Sequence, residues 1–249
     1  MRLDVYLAEK KLAKSRTAAQ SLINIGGVYV NGKMAEKSSM DVTEADNITI
    51  EEIKQPKYVG RGGLKLEGAL EHFGLDISGA VCVDVGASTG GFTDCMLQNG
   101  AERVYAVDVG RDQLAEKLCE DPRVISHEQT DIRDFSLDEY PEGADFIGAD
   151  ASFISLKMIL PEINRLLKSG GRAVALIKPQ FEAGRKALNK RGIVTDEKIR
   201  RRVVEELTDF ARGCGFAVVG VVNSPITGGD GNEEYLMCLK KLLQRNVGA

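Results

Sequence analysis

The stretch Asp84-Val85-Gly86-Ala87-Ser88-Thr89-Gly90-Gly91-Phe92 decides the fold. It ends an apolar strand read over Ala80–Val85, and its glycines allow a tight turn with close backbone approach at a helix N-terminus. The spacing is not Gly-x-Gly-x-x-Gly, which disfavours a dinucleotide. It also lacks the Gly-Lys-Ser/Thr of a phosphate-binding loop. The next strand, Arg103–Asp108, ends in an acid whose carboxylate can accept hydrogen bonds from both hydroxyls of a ribose. Together Asp84, the loop Gly86–Gly91 and Asp108 form the arrangement expected for S-adenosylmethionine. The candidate cofactor residues are Asp84, Gly86, Ala87, Ser88, Thr89, Gly90, Gly91, Phe92, Asp108, Val109, Asp131 and Ile132. The competing reading is a structural turn with an acid at a strand end.

Outward from this loop, further strands are predicted at Ala144–Asp150, Ala173–Ile177, Phe216–Val222 and Tyr235–Leu239. Leu66, Ala69, Leu70 and Phe73 mark one helix. Ile199, Val203, Leu207 and Phe210 line one face of another, over Thr195–Gly213. Short apolar strands alternating with amphipathic helices imply an α/β domain: a mostly parallel, Rossmann-like sheet with helices on both faces.

Residues 1–53 read differently, as a small α+β unit of two helices and a sheet. Ser15 is a helix N-cap candidate ahead of Ala18, Ala19, Leu22 and Ile23, and Gly26-Gly27 stop that helix. Asn31-Gly32, between Val28-Tyr29-Val30 and Lys33, is the favoured pair for a type I′ hairpin. Alternation over Asn47–Glu51 marks a closing strand. Residues 54–60, opened by Lys54-Gln55-Pro56-Lys57, form a linker by composition. The α/β domain then spans 61–243, with a tail at 244–249.

The 249 residues are 43% hydrophobic and 28% charged, an ordinary globular balance. No apolar run has the length of a membrane span. Asp4 and Glu9-Lys10-Lys11 stand where a signal peptide would be apolar, so neither export nor membrane insertion is expected. Cys82, Cys95, Cys119, Cys214 and Cys238 are scattered and odd in number, which fits a reducing cytoplasm. His72 and His127 have no ligand cluster near them, and no metal is expected.

A net charge of −4 excludes a general polyanion binder. The charge is uneven, however. Arg2, Lys10, Lys11, Lys14, Arg16, Lys33 and Lys37 outweigh Asp4, Glu9 and Glu36. Arg185, Lys186, Lys190, Arg191, Lys198, Arg200, Arg201 and Arg202 outweigh Asp196 and Glu197. Two basic surfaces on an acidic chain suggest a directed contact with a polyanion. Solvated helix faces are the alternative.

Four charged residues stand where chemistry is expected. Asp150 ends one strand in Asp150-Ala151-Ser152-Phe153, and Lys178 follows another in Lys178-Pro179-Gln180-Phe181-Glu182. Sheets of this kind bind ligands at their carboxyl ends. Lys65 flanks the apolar face of the first helix of the α/β domain, and Glu234 precedes the last strand. Neither the Asn/Asp-Pro-Pro-Tyr/Phe of amine methylation nor a nucleophilic cysteine for cytosine C5 is present there. Singly, each charge would pass as a cap or a solvated side chain.

The combination closely resembles the TlyA (haemolysin A) family of ribosomal-RNA 2′-O-methyltransferases, which carry an N-terminal S4 RNA-binding domain. The S4 resemblance rests on Arg2-Leu3-Asp4, Ser15-Arg16 and Gly27-Val28-Tyr29-Val30-Asn31-Gly32. The remainder rests on Tyr58-Val59-Gly60-Arg61-Gly62-Gly63-Leu64-Lys65-Leu66, the loop 84–92, Asp150-Ala-Ser-Phe-Ile-Ser155, Ile177-Lys178-Pro-Gln-Phe-Glu-Ala-Gly184 and Ser224-Pro-Ile through Glu234-Tyr235. The catalytic part is similar to FtsJ/RrmJ-type 2′-O-methyltransferases, whose Lys-Asp-Lys-Glu tetrad falls on Lys65, Asp150, Lys178 and Glu234. Gly60 stands where the family leads one to expect Ser, and Ala151 where it leads one to expect Val. Neither is a tetrad position.

The resemblance implies transfer of a methyl group from S-adenosylmethionine to a ribose hydroxyl of ribosomal RNA, alone or in a ribosomal subunit. It implies a cytidine as target. The start at Arg2-Leu3-Asp4 resembles the shorter members, associated with the large subunit, with the small subunit a second candidate. Arg2, Lys14, Ser15, Arg16, Asn31, Lys33, Lys37 and Arg185 are the expected RNA contacts. A ribose hydroxyl is a poor nucleophile at neutral pH, so Lys178 would act as base or stabilise developing alkoxide, with Asp150 and Glu234 orienting both lysines. Two other classes compete: a non-catalytic S4-type assembly factor and a haemolysin. The intact tetrad opposes the first, and the lack of a membrane-inserting segment opposes the second.

Overall fold

The computed structural model describes residues 1–243 except 14, 25, 26, 36, 51–56, 229 and 230. Lys14, Gly26, residues 54–56 of the expected linker and the tail 244–249 therefore lie outside the described residues. The chain divides into two compact units, Met1–Lys57 and Tyr58–Ala249.

The first unit packs α1 (Leu3–Glu9) and α2 (Arg16–Asn24) on an antiparallel sheet of β1 (Val28–Val30), β2 (Lys33–Met34) and β3 (Ile48–Ile50), in the order β2-β1-β3. Leu3, Leu7, Ala19, Ile23, Val28 and Val30 form its core. Ser15 Oγ accepts the Ala18 N–H at 3.1 Å, the N-cap bond read from the sequence. Asn31 (φ 52°) and Gly32 (φ 76°) turn the β1–β2 hairpin, as the dipeptide predicts. The Asn31 side chain also donates to Asp46 and accepts the Asn47 N–H, so both of its ends pin this turn.

Among the described residues, the second unit is built on a seven-stranded sheet. Its strands are β4 (Val81–Val85), β5 (Arg103–Val107), β6 (Val124–His127), β7 (Ala144–Ala149), β8 (Leu167–Ile177), β9 (Phe216–Asn223) and β10 (Tyr235–Lys241). Their order is β6-β5-β4-β7-β8-β10-β9. All neighbours are parallel except β10, which runs antiparallel to β8 and to β9. Helices α3 (Gly62–Phe73), α4 (Gly91–Gln98) and the short α5 (Glu116–Cys119) pack on one face around Leu66, Leu70, Phe92 and Met96. Helices α6 (Leu156–Leu166) and α8 (Glu197–Gly213) cover the other around Ile159, Leu160, Val203 and Leu207. The short α7 spans Pro179–Glu182.

Several sequence boundaries change. The second unit begins at Tyr58, not at residue 61, because Tyr58 is 3% exposed and the Val59 N–H bonds Asp94 on α4. Helix α8 starts at Glu197, two residues later than read, because Asp196 caps it by accepting the Lys198 N–H. Strand β8 extends back to Leu167, where Leu167 pairs with Ala144 before the register shifts. Strand β6 was not foreseen: Val124-Ile125-Ser126-His127 is short and half-buried at a sheet edge, so it lacks a long apolar run.

Candidate active site

Strand order reverses between β4 and its two neighbours, so a crevice opens beyond the carboxyl ends of β4, β5 and β7. A cleft of about 430 Å³ lies there, within the usual range for small-molecule sites. Of the residues expected to hold a cofactor, Gly86, Ser88, Asp108, Val109, Asp131 and Ile132 line it. Gly86 is required at its position, since a Cβ would lie 2.9 Å from the Asp150 carbonyl oxygen. Asp108 accepts the Ser88 N–H at 2.8 Å and the Gly110 N–H at 2.7 Å. A carboxylate has about four acceptor positions, so two remain for the hydroxyls of a ribose. Val109, 72% exposed, offers an apolar surface beside it. Asp131 is turned to Arg133 at 2.6 Å, which holds its carboxyl down at about 2.

Other residues of the expected cofactor loop border a second cleft. Ala87, Thr89, Gly91 and Phe92 line a second cleft of about 200 Å³ with Gly60, Arg61, Gly62, Asp150, Ser152 and Lys178, and Gly86 and Ser88 border both clefts. Gly90 borders neither. Asp84 is fully buried beneath the loop, where Oδ2 accepts from the Thr93 N–H and hydroxyl while Oδ1 has no partner. Burial pushes its carboxyl up to about 7.

The sheet brings the tetrad together. Asp150 follows β7 and Lys178 follows β8, two parallel neighbours, so both leave the sheet at one edge. Antiparallel β10 begins at that same edge, with Tyr235 opposite Ile177, and delivers Glu234 beside them. Lys65 reaches in from α3. Lys65 Nζ lies 2.6 Å from Glu234 Oε2 and 3.8 Å from Asp150 Oδ2. Lys178 Nζ lies 2.6 Å from Asp150 Oδ1. Lys65, Lys178 and Glu234 are all buried. Two ammonium groups therefore face two carboxylates, with Asp150 between the lysines. No group of three or more His, Cys, Asp or Glu suited to a metal occurs among the described residues.

Three features escaped sequence reading. Ser152 Oγ accepts a hydrogen bond from Lys178 Nζ at 2.7 Å. Phe153, 91% exposed with φ 63°, stands over Phe181 with ring centroids 5.0 Å apart. Glu182 accepts from the Ser155 hydroxyl and the Leu156 N–H, both at 2.7 Å, fastening the Lys178 segment to the start of α6. Ser152 and Phe153 belonged to a recognised signature, yet an exposed aromatic reads in sequence like a core one. The Glu182 contact spans 26 residues of chain and leaves no local pattern.

Comparison with known proteins bears on what this edge does. The FtsJ-like methyltransferase family model matches residues 58–241, and the S4 domain model matches residues 1–48. The chain belongs to the FtsJ-like methyltransferase family. As an FtsJ-like methyltransferase it is an enzyme that uses S-adenosylmethionine. Hemolysin A of Brachyspira hyodysenteriae is 42% identical, over 95% of this chain and 98% of its own. The 16S/23S rRNA (cytidine-2′-O)-methyltransferase TlyA of Mycobacterium tuberculosis is 39% identical, over 100% of this chain and 92% of its own. Among solved structures, a candidate hemolysin from Streptococcus thermophilus superimposes with a TM-score of 0.75 at 44% identity, covering 97% of this chain and 88% of that one.

In the first unit, the arginines expected to hold phosphate are also paired with a buried acid. Asp4 is fully buried and accepts from Arg2 (3.0 Å), Arg16 (2.9 Å) and Gln20 (2.7 Å). The Arg2 guanidinium first, and the Gln20 amide next, hold its carboxyl well below the usual range. The physical reason is that a buried carboxylate needs charged partners. Arg2 and Arg16 keep 44% and 55% of their side chains exposed, so each can still reach an anion. Lys33, Lys37 and Arg185 are exposed.

Proposed function

We propose that this protein methylates the 2′-hydroxyl of a ribose in ribosomal RNA, with a cytidine of the large subunit as the target. The observation that carries the reading is the meeting of Lys65, Asp150, Lys178 and Glu234 beside the cofactor cleft. The name of the TlyA relative supports ribosomal RNA and cytidine. When bound, S-adenosylmethionine supplies an activated methyl group on its sulfonium. Gly86, Ser88, Asp108, Val109 and Ile132 would hold it. Lys178 takes the proton from the ribose hydroxyl, or remains charged and stabilises the alkoxide as it develops. Lys65, held by Glu234, keeps a second positive charge near Asp150, so that acid is not left to neutralise Lys178 alone.

Phe153 and Phe181 form an exposed aromatic face near Lys178, whose Nζ lies 5.9 Å from the Phe181 ring centroid. A base drawn out of a folded RNA could stack there while its ribose reaches the amine. The first unit would grip phosphates and position the RNA without reading its sequence. Lys33 and Lys37 are the exposed cations to test, since Arg2 and Arg16 also hold Asp4. The odd number and scatter of the cysteines fit action in the cytoplasm. A haemolysin reading rests on relatives' names, and no helix among the described residues is long and apolar enough to cross a membrane.

The deciding experiment maps 2′-O-methyl groups in ribosomal RNA from cells with and without this protein. Loss of one cytidine methyl in large-subunit RNA is expected. An unchanged map would overturn the assignment.

A further inference from the structure

Lys178 Nζ has two close partners, and they differ in kind. The Asp150 Oδ1 contact, at 2.6 Å, is an ion pair. The bond to Ser152 Oγ, at 2.7 Å, is the directional one. Ser152 borders both the cofactor cleft and the tetrad cleft. Phe153 turns the chain immediately after it with a positive φ, and Glu182 clamps Ser155 and the Leu156 N–H just beyond.

A lysine nitrogen offers three positions beyond its own carbon. Ser152 takes the first with a directed bond, and Asp150 draws the second by charge. One position is left. On a neutral amine it carries the lone pair, and on an ammonium it carries a hydrogen. Either way it is the position that must face the ribose hydroxyl, because either proton removal or alkoxide stabilisation needs a short, aligned contact.

We propose that Ser152 is a positioning residue for methyl transfer, its Oγ orienting the Lys178 amine so that the remaining position on Nζ faces the substrate hydroxyl. The proposal rests on Lys178 being the group that acts on that hydroxyl. It also assigns a purpose to the serine in Asp150-Ala151-Ser152-Phe153 that is separate from the acid beside it.

The test uses the full-length protein with ribosomal RNA at saturating S-adenosylmethionine, in single-turnover assays across pH. Ser152→Ala should slow methyl transfer roughly tenfold or more, as expected for a misaligned reacting group. Cofactor and RNA affinities should stay within about twofold of wild type. Because the lost oxygen is an acceptor for the charged amine, the ascending limb of the rate–pH curve should also move toward acid. Ser152→Thr, which keeps the hydroxyl, should restore both rate and curve. In a Lys178→Ala background, adding Ser152→Ala should change nothing further.

A Ser152→Ala enzyme with wild-type rate and pH curve would overturn the proposal while Lys178→Ala stays inactive. So would lost cofactor affinity with an unchanged rate at saturation, which makes Ser152 a cofactor contact. A Ser152→Thr enzyme as slow as Ser152→Ala would also overturn it. If Lys178→Ala itself keeps the wild-type rate, the tetrad reading fails first, and the Ser152 proposal falls with it.

Discussion

Lys65 and Glu234 lie 169 residues apart in the chain and 2.6 Å apart in space, with both side chains buried. Removing one partner strands the other charge in a dry environment, which typically costs about 3–5 kcal/mol. Lys65→Ala and Glu234→Ala should each lower stability on that scale in urea unfolding of the full chain. A Lys65→Met/Glu234→Leu pair should lose much less than the sum of the single changes, though it should not methylate. Additive losses would show that the pair is not coupled in the folded state.

Lys178→Ala should reduce single-turnover methyl transfer by roughly 10²–10⁴-fold, the usual weight of a positioned proton-transfer group. Lys178→Arg is more telling, because arginine keeps the charge but cannot release a proton at accessible pH. It should be as inactive as Ala, and the wild-type rate should climb with pH. A near-wild-type Arg variant would reassign Lys178 to charge stabilisation alone.

Asp108 bears on the cofactor. Asp108→Asn keeps one carbonyl acceptor and removes the charge, so bonds to a ribose weaken by about 1.5–3 kcal/mol. Titration calorimetry should then show S-adenosylmethionine binding roughly tenfold to a hundredfold weaker. Asp108 also fixes the Ser88 and Gly110 N–H groups. Unchanged affinity would remove it from the cofactor site.

Asp4 makes the first unit acid-sensitive. Its folded pKa lies below the ordinary value, so its stabilisation is present above about pH 4, where the unfolded chain is also ionised. That stabilisation is lost as pH falls toward the lower folded value. Circular dichroism of the full chain should show this unit loosening in acid. Asp4→Asn should reduce the pH dependence and lower stability at neutral pH, leaving Arg2 and Arg16 without their shared charged partner. A variant with the wild-type acid profile would rule out Asp4 as its cause.

Glu182 fastens Ser155 and the Leu156 N–H. Losing a helix cap of this kind costs about 0.5–2 kcal/mol. Glu182→Ala should slow methyl transfer more than this modest destabilisation accounts for, because the capped segment also carries Asp150 and Ser152. Equal wild-type and variant rates at low temperature would confine Glu182 to stability.

Much of this arrangement is legible in the chain. Strand ends carrying Asp108, Asp150 and Lys178 follow from apolar runs, and Asn31-Gly32 announces its turn. What stays hidden is pairing across long separations. Nothing near Asp4 in sequence shows that Arg16 and Gln20 will close on it, so Arg16 reads as a free cation for RNA. Nothing near Lys178 shows that Ser152 will reach it. The loop after β4 reads as one cofactor motif, yet its backbone winds between two clefts and gives Ala87, Thr89, Gly91 and Phe92 to the second. Edge strand β6 is half-exposed and thus lacks the apolar run that marks its neighbours.

The antiparallel return of β10 has a consequence for biosynthesis. A ribosome making this protein releases the cofactor loop, Lys65, Asp150 and Lys178 well before Glu234 and the strand behind it. Until β10 slots between β8 and β9, the ammonium of Lys65 has no buried carboxylate to meet, and two strands of the sheet stand unjoined. A nascent chain at that stage could shelter the cofactor without the assembled charges needed to use it. The enzyme would thus acquire its chemistry only after Glu234 and β10 have been made.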